Sequence, residues 1–257
     1  NRTAVILCGG KGTRLGSLGK KIPKSLISVQ GKEILWYIIN QLKFNKFNHI
    51  ILPLGFKGDQ IRKFINKNKS FGIKIDMVST GINSSIGLRL FRIIDKIRSE
   101  NFVLLNGDAI FDISLNKYFS NHEKKLSNVT FLSGEIIYPY GTIGIKNGKL
   151  EDFKRNIVYD AIKVRDKRNY TAYNYTGISI IKKKLIQKLK YSFKNSENFE
   201  LSFFSEAIKS KNCKLLKIKG FWHSIDNIKD LDIVNNKSFV NNYKKVKKIK
   251  FILSNKN

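Results

Sequence analysis

Apolar residues over positions 1–105 follow two rhythms that alternate along the chain. The runs Val5-Ile6-Leu7, Ile50-Ile51-Leu52 and Phe102-Val103-Leu104-Leu105 have the unbroken apolar character of strands buried on both faces, and the stretch 73–78 reads as a further strand. Between them, Ile34, Leu35, Ile38, Ile39 and Leu42 recur at helical spacing up to Phe44. A turn at Gly55-Phe56-Lys57-Gly58 leads to a short helix over 59–65 with Asp59 as its N-cap. Leu88, Phe91, Ile94 and Ile97 mark a further helix. Alternation of this kind predicts an α/β fold: a Rossmann-like, mostly parallel sheet with helices on both faces and ligands at the carboxyl ends of its strands. Gly9-Gly10 and Gly107-Asp108 both fall at such ends.

The second half reads differently. Segments 129–137, 142–145 and 176–181 have strand character and are separated by turns, and short helices are expected over 185–189 and 200–208. A small antiparallel insertion fits this pattern. With no glycine- or proline-rich linker and no internal repeat, residues 1–240 read as one catalytic unit and 241–257 as a basic tail.

Composition changes the picture in two places. Lys and Arg number 49 against 19 Asp and Glu, a net charge of +30, which invites a nucleic-acid reading. The lysines, however, run through nearly every segment among abundant Asn and Ile, as a compositional bias does, so no nucleic-acid partner is expected. The local concentration is Lys244, Lys245, Lys247, Lys248 and Lys250, in the tail. No apolar run approaches the roughly 20 residues that span a bilayer, and the chain enters its first strand without a charged-then-apolar leader, so a cytoplasmic protein is expected. Cys8 and Cys213 suit a reducing compartment and show no metal-ligand spacing, which argues against zinc.

The candidate chemistry begins where the first strand ends. Cys8-Gly9-Gly10-Lys11-Gly12-Thr13-Arg14-Leu15, followed by Pro23-Lys24, is the composition of a loop that wraps a polyphosphate. Glycines let main-chain N–H groups close around an anion, while Arg and Lys supply full charges. Two commoner phosphate loops are excluded. A Walker loop ending at Gly19-Lys20 would need glycine where Arg14 stands and Ser or Thr where Lys21 stands, and a dinucleotide fingerprint would need a small residue in place of Leu15.

The loop, matched at Gly9, Gly10, Gly12, Thr13, Arg14, Leu15, Pro23 and Lys24, resembles the signature of the sugar-nucleotide pyrophosphorylases. These nucleotidyltransferases join a nucleoside triphosphate to a sugar 1-phosphate. The stretches 33–38, 55–58, 79–81, 87–90, Gly107-Asp108 and 220–226 are similar to the glucose-1-phosphate cytidylyltransferase branch, and the likeness runs over about residues 3–235. Heptose-1-phosphate guanylyltransferases share the opening loop.

The resemblance implies Mg2+ held by Asp108 and Asp226, with Arg14 and Lys24 completing the catalytic set. Lys11 and Arg14, with the amides of 10–13, would hold the β- and γ-phosphates, and Lys24 the α-phosphate or the incoming phosphate. Leu7, Gly9, Thr80 and Gly81 would read the base, with Gly87 allowing close backbone approach and Asn106-Gly107 beside the nucleotide; Arg89 is either a further contact or a helix-surface charge. Tyr140, Gly141, Arg155, Thr176 and Gly177 would surround the sugar. CTP is the expected donor, the product a CDP-sugar for polysaccharide or glycoconjugate synthesis. Relatives assemble through hydrophobic surfaces, so a homo-oligomer is implied.

The chain departs from the family pattern at one telling place. Where a Glu-Lys pair commonly follows a mid-chain Phe, Phe153 is followed by Lys154-Arg155-Asn156, and Leu88 replaces a second glycine. Arg155 or Lys154 would then grip the sugar phosphate, with a different geometry of charge. Two alternatives follow: a binding or regulatory homologue without turnover, and a guanylyltransferase acting on heptose 1-phosphate.

Overall fold

Successive residues of the strand Thr3–Leu7 face opposite sides, as a strand's two-residue period requires. Ala4 and Ile6 join one apolar cluster and Val5 another, so this strand separates two cores. In the computed structural model, which describes residues 2–10, 16–138, 140–159, 161–165 and 169–236, it lies inside a seven-stranded sheet. The order across the sheet is 213–217, 129–133, 175–182, 101–106, 3–7, 49–54 and 74–79. Tyr175–Lys182 runs antiparallel to both its neighbours, and the other pairings are parallel. The sheet is mostly parallel, as expected.

Helices cover both faces. Ile34–Phe44 and Gly58–Lys67 pack on the side of Ala4 and Ile6; Ile86–Ile93 and Lys183–Phe193 pack on the side of Val5. The second side is filled out by Phe193, Phe199, Phe203 and Phe204, whose ring centroids lie 5.1–5.7 Å apart. The last two of these belong to a π-helical turn, Glu200–Phe204, that leads into the helix Ser205–Lys209.

Several expectations are corrected. The 176–181 segment is a central strand of the main sheet, and the 129–137 segment divides into Val129–Ser133 and Ile136–Tyr138. Gly134 lies in the break, where a Cβ would come within 2.9 Å of Thr176. The antiparallel insertion consists of three separate two-stranded pairings: Thr142–Lys146 with Lys149–Lys154, Ile136–Tyr138 with Ile157–Tyr159, and Ala161–Val164 with Tyr170–Tyr173. Asp59 is not a cap. Its helix starts at Gly58 after Lys57 at φ 51°, and Asp59 sits in the first turn, where its charge suits the helix dipole. In the helix Ile86–Ile93 the buried face is Gly87, Arg89, Leu90 and Ile93, while Leu88 and Phe91 are half-buried. Leu115–Lys124 is an additional helix.

That additional helix carries a testable pH dependence. His122 is fully buried, paired through Nδ1 to Thr130 Oγ1 at 2.9 Å and through Nε2 to Asn101 Oδ1 at 3.2 Å. Burial, and then the charges of Lys182 and Lys214, push its pKa down to about 4 from the usual 6.5. A depressed pKa makes the neutral form the stabilising one. The contribution is fully present above the unfolded value of about 6.5 and is lost as the pH falls toward 4, amounting to about 3 kcal/mol. Urea unfolding between pH 7 and 4 is expected to show this loss in the wild type, and a shallower slope in His122→Gln.

Candidate active site

The strands Thr3–Leu7 and Asn101–Asn106 run in the same direction side by side, so their carboxyl ends open at one edge of the sheet. There Gly107 N–H donates to Leu7 O at 3.0 Å. A Cβ at Gly107 would stand 2.8 Å from the same oxygen, so only glycine lets the two chain ends approach this closely. Asp108 follows at the mouth.

What brings Asp226 to it is a pairing between distant segments. The strand Ala109–Ile113 continues from Asp108 and pairs antiparallel with Gly220–Ser224, with Ala109 opposite Ser224. One more bond, Ile225 N–H to Asp108 O at 2.8 Å, extends the ladder and delivers Asp226 beside Asp108. The helix Ile228–Asn235 then fixes it. Asn227 is the N-cap in a reciprocal capping box with Asp230, whose Oδ2 accepts from the N–H of Asn227 at 3.0 Å and of Asp226 at 2.8 Å. Ser224 Oγ donates to Asp226 Oδ2 at 3.1 Å.

Lys24 closes the arrangement. Pro23, at φ −58° and ψ 141°, presets the entry to the single 3-10 turn Lys24–Leu26. From there Nζ donates to Asp108 Oδ2 at 2.7 Å and to Asp226 Oδ1 at 2.8 Å. Burial works against the ammonium charge, but the two carboxylates outweigh it, Asp108 first, and hold the Lys24 pKa above its usual value. Two carboxylates and one cation thus converge on one point.

That point lies between two hollows. The smaller, about 380 Å3, is walled by Leu7, Gly9, Gly10, Lys24, Arg89, Asn106, Gly107 and Asp108. The larger, about 860 Å3, is walled by Tyr140, Arg155, Asn174, Trp222, Asp226 and Lys229 among others. Of the residues expected to bind the nucleotide, Leu7, Gly9, Gly10, Asn106 and Gly107 therefore share one wall, and of those expected around the sugar, Tyr140 and Arg155 line the other hollow.

Other expected contacts are not brought to a wall. Thr80 is fully buried; its Oγ1 donates to Leu54 O at 2.7 Å and accepts from Arg89 at 2.8 Å. Gly81, at φ +88°, lines neither hollow, and Gly87 is closely approached by the carbonyl of Phe193, which a Cβ there would overlap. That close approach is helix packing. Thr176 is buried, with Oγ1 donating to Leu132 O at 2.8 Å, and its carbonyl accepts from Trp222 Nε1 at 3.0 Å. Gly177, at φ +73°, leaves room for the Asn106 amide, and Gly141 for the ring of Phe153. Lys11, Gly12, Thr13 and Arg14 lie outside the described residues, as does the 241–257 tail.

Arg89 is the residue whose place the sequence left open, and it is not on the surface. It is 4% exposed and donates to Gly9 O at 3.1 Å, Ile82 O at 3.2 Å and Thr80 Oγ1. Burial lowers its pKa; Cys8 raises it and Arg92 lowers it further. Gly9 and Gly55 make its space, since a Cβ at either would collide with the guanidinium. Trp222 and Lys229 are further wall residues. The glycine-rich neighbours of Arg89 were a readable hint; the helix phase that turns it inward was not.

A model of the nucleotidyl transferase family matches residues 3–237, a span that contains the whole of this site. The chain belongs to that family. It is 28% identical over 252 residues to a probable glucose-1-phosphate cytidylyltransferase of Bacillus subtilis, covering 90% of this chain and 94% of that one. A D-glycero-alpha-D-manno-heptose 1-phosphate guanylyltransferase of Campylobacter jejuni is 36% identical over 121 residues, 47% of this chain and 54% of its own length. The fold matches that of a solved structure assigned as a glucose-1-phosphate thymidylyltransferase from Bacillus anthracis, with a TM-score of 0.71, 19% identity and coverage of 93% and 96%. Asp108 follows the carboxyl end of Asn101–Asn106, and Asp226 stands beside it through the pairing of Ala109–Ile113 with Gly220–Ser224. No helix among the described residues is long and apolar enough to cross a membrane.

Proposed function

We propose that the chain transfers a nucleotidyl group from a nucleoside triphosphate, CTP first, to a sugar 1-phosphate, releasing pyrophosphate. The observation that carries this reading is the convergence of Asp108, Asp226 and Lys24 between two hollows, since the reaction must hold two anions at one point.

An oxygen of the acceptor phosphate attacks the α-phosphorus, a new P–O bond forms, and the bond to the β-phosphate oxygen breaks. The attacking oxygen is already anionic, so positioning and charge neutralisation carry the barrier, with no side-chain nucleophile. The smaller hollow would take the nucleotide against Gly9, Gly10 and Gly107, and the larger the sugar, with Arg155 or Lys229 facing it. The loop residues Lys11 to Arg14 would hold the leaving phosphates. Lys24 would stabilise charge shifting at the α-phosphorus.

The donor set fits magnesium. Two carboxylate oxygens lie within 2.8 Å of one nitrogen, and among the described residues no group of three or more His, Cys, Asp or Glu is arranged to hold a metal ion. A hard cation that keeps phosphate and water ligands needs only one or two carboxylates. Asp108 and Asp226 would hold it; bound there, the ion supplies charge neutralisation across the two reacting phosphates.

Pyrophosphate release with each of the four common triphosphates against a panel of sugar 1-phosphates tests the proposal. CTP with a hexose 1-phosphate is expected to give the highest kcat/KM. The higher identity to the Campylobacter jejuni relative supports a second reading, in which GTP with a heptose 1-phosphate prevails. Absence of release with every pair would overturn both, in favour of a homologue that binds without turnover.

A further inference from the structure

The two carboxylates assigned to a divalent cation are bridged by a cation of the chain's own. Lys24 Nζ donates to Asp108 Oδ2 at 2.7 Å and to Asp226 Oδ1 at 2.8 Å. The other oxygen of Asp226 accepts from Ser224 Oγ at 3.1 Å. Nζ therefore confronts any divalent ion that draws on both carboxylates, and two cations near contact distance repel strongly. Solvent does little to soften this, because the side chains of Lys24, Asp108 and Asp226 are only 18%, 27% and 39% exposed.

The fold decides which group can yield. The main chain at the base of Lys24 is fixed: Pro23 sets the entry to its turn, Leu26 N–H donates to Pro23 O at 2.9 Å, and Ser25 is buried. Beyond the main chain, lysine is a point charge on a flexible four-carbon stem, so Nζ can change partners while the backbone stays. The carboxylates are held more firmly. The carbonyl of Asp108 accepts from the N–H of Ile225 at 2.8 Å, and the N–H of Asp226 donates to Asp230 Oδ2 at 2.8 Å. A second partner for Nζ is at hand, since Lys24 also lines the smaller hollow with Gly9, Gly10 and Gly107. A phosphate oxygen bound there would offer the ammonium a charge-assisted bond in exchange for those it gives up.

We propose that Lys24 is a built-in counter-ion that competes with the divalent cation for Asp108 and Asp226, and that a triphosphate admits the cation by drawing Nζ onto its own oxygens. The inference rests on the proposed reaction, which brings a cation and a triphosphate to this point. Lys24 then has two successive partners, carboxylate and phosphate, in one binding sequence. Linkage follows: whatever removes Nζ from the carboxylates tightens cation binding, and the cation favours the release of Nζ by the same factor.

Titration of Mn2+ into the full chain without nucleotide, followed by electron paramagnetic resonance, tests this. Lys24→Met is expected to bind Mn2+ roughly tenfold or more tightly than the wild type, and Lys24→Gln to behave alike, since neither carries the competing charge. Lys24→Gln keeps a donor for the carboxylates should the Met variant fold poorly, and circular dichroism compares all the variants. Lys24→Arg keeps the charge and should stay within about threefold of the wild type. Adding Asp108→Asn to Lys24→Met should remove the gain. Mn2+ should also raise the melting temperature of Lys24→Met more than that of the wild type. Binding by Lys24→Met and Lys24→Gln no tighter than by the wild type would overturn the proposal, as would a gain that survives Asp108→Asn. If either result came together with Mn2+ binding that needs both carboxylates when a non-hydrolysable triphosphate is present, the proposed reaction would stand and this inference alone would fall.

Discussion

Asp226→Asn is expected to lower turnover by roughly 10²–10³-fold, the loss typical of removing one group that stabilises charge in the transition state. Asp108→Asn should behave alike, because the two carboxylates converge on the same point at Lys24 Nζ. The fold should survive both changes. In Asp226→Asn the capping box survives, since Asp230 accepts from the Asp226 main-chain N–H, and Lys24 keeps Asp108 as a partner. Steady-state kinetics would therefore show the loss in kcat with unfolding midpoints little altered. A loss confined to KM would mean that the carboxylates serve binding alone.

Arg89→Ala should have the second largest effect, on stability first. The buried guanidinium serves Gly9 O, Ile82 O and Thr80 Oγ1, and its removal forfeits these three bonds and leaves a void between Gly9 and Gly55, although Gly9 O keeps the Phe56 N–H. A cost of about 3 kcal/mol follows from the lost hydrogen bonds of a buried charged group and the void left behind, and should appear as a lower urea midpoint. Because Gly9 also lines the smaller hollow, the nucleotide KM should rise in the same variant. Arg89→Lys is not expected to restore either quantity, since one ammonium cannot span three acceptors that a planar fork reaches.

The parts of this molecule that rest on local pattern were legible in the chain. The run 102–105 followed by Asn-Gly-Asp announced a buried strand with a carboxylate at its end, and Asn101–Asn106 with Asp108 is that feature. The helix Ile34–Phe44 ends where its spacing said it would. The meeting of Asp108 and Asp226 was legible only as a resemblance, because it depends on Ala109–Ile113 finding Gly220–Ser224, and no local signal specifies a partner so far along the chain. For the same reason 176–181 was assigned to the insertion: an apolar strand reads alike in either sheet, and its antiparallel insertion between 101–106 and 129–133 is a tertiary choice. Thr80, Gly81 and Gly87 show a different limit. Their family motif was readable, but the motif also carries packing: Thr80 supports Arg89, Gly81 takes a positive φ against Ser84, and Gly87 admits Phe193, so none of the three stands on a wall of either hollow. Lys24, expected at the α-phosphate or the incoming phosphate, is here the cation that both carboxylates share.

On the proposed reaction, Asp108 and Asp226 would jointly hold a divalent cation beside the nucleotide. Titration of Mn2+ into the protein with a non-hydrolysable triphosphate, followed by electron paramagnetic resonance, measures this directly. The wild type is predicted to bind one Mn2+ per chain, with affinity falling at least tenfold in Asp108→Asn and in Asp226→Asn alike. Unchanged Mn2+ affinity in both variants would contradict the account.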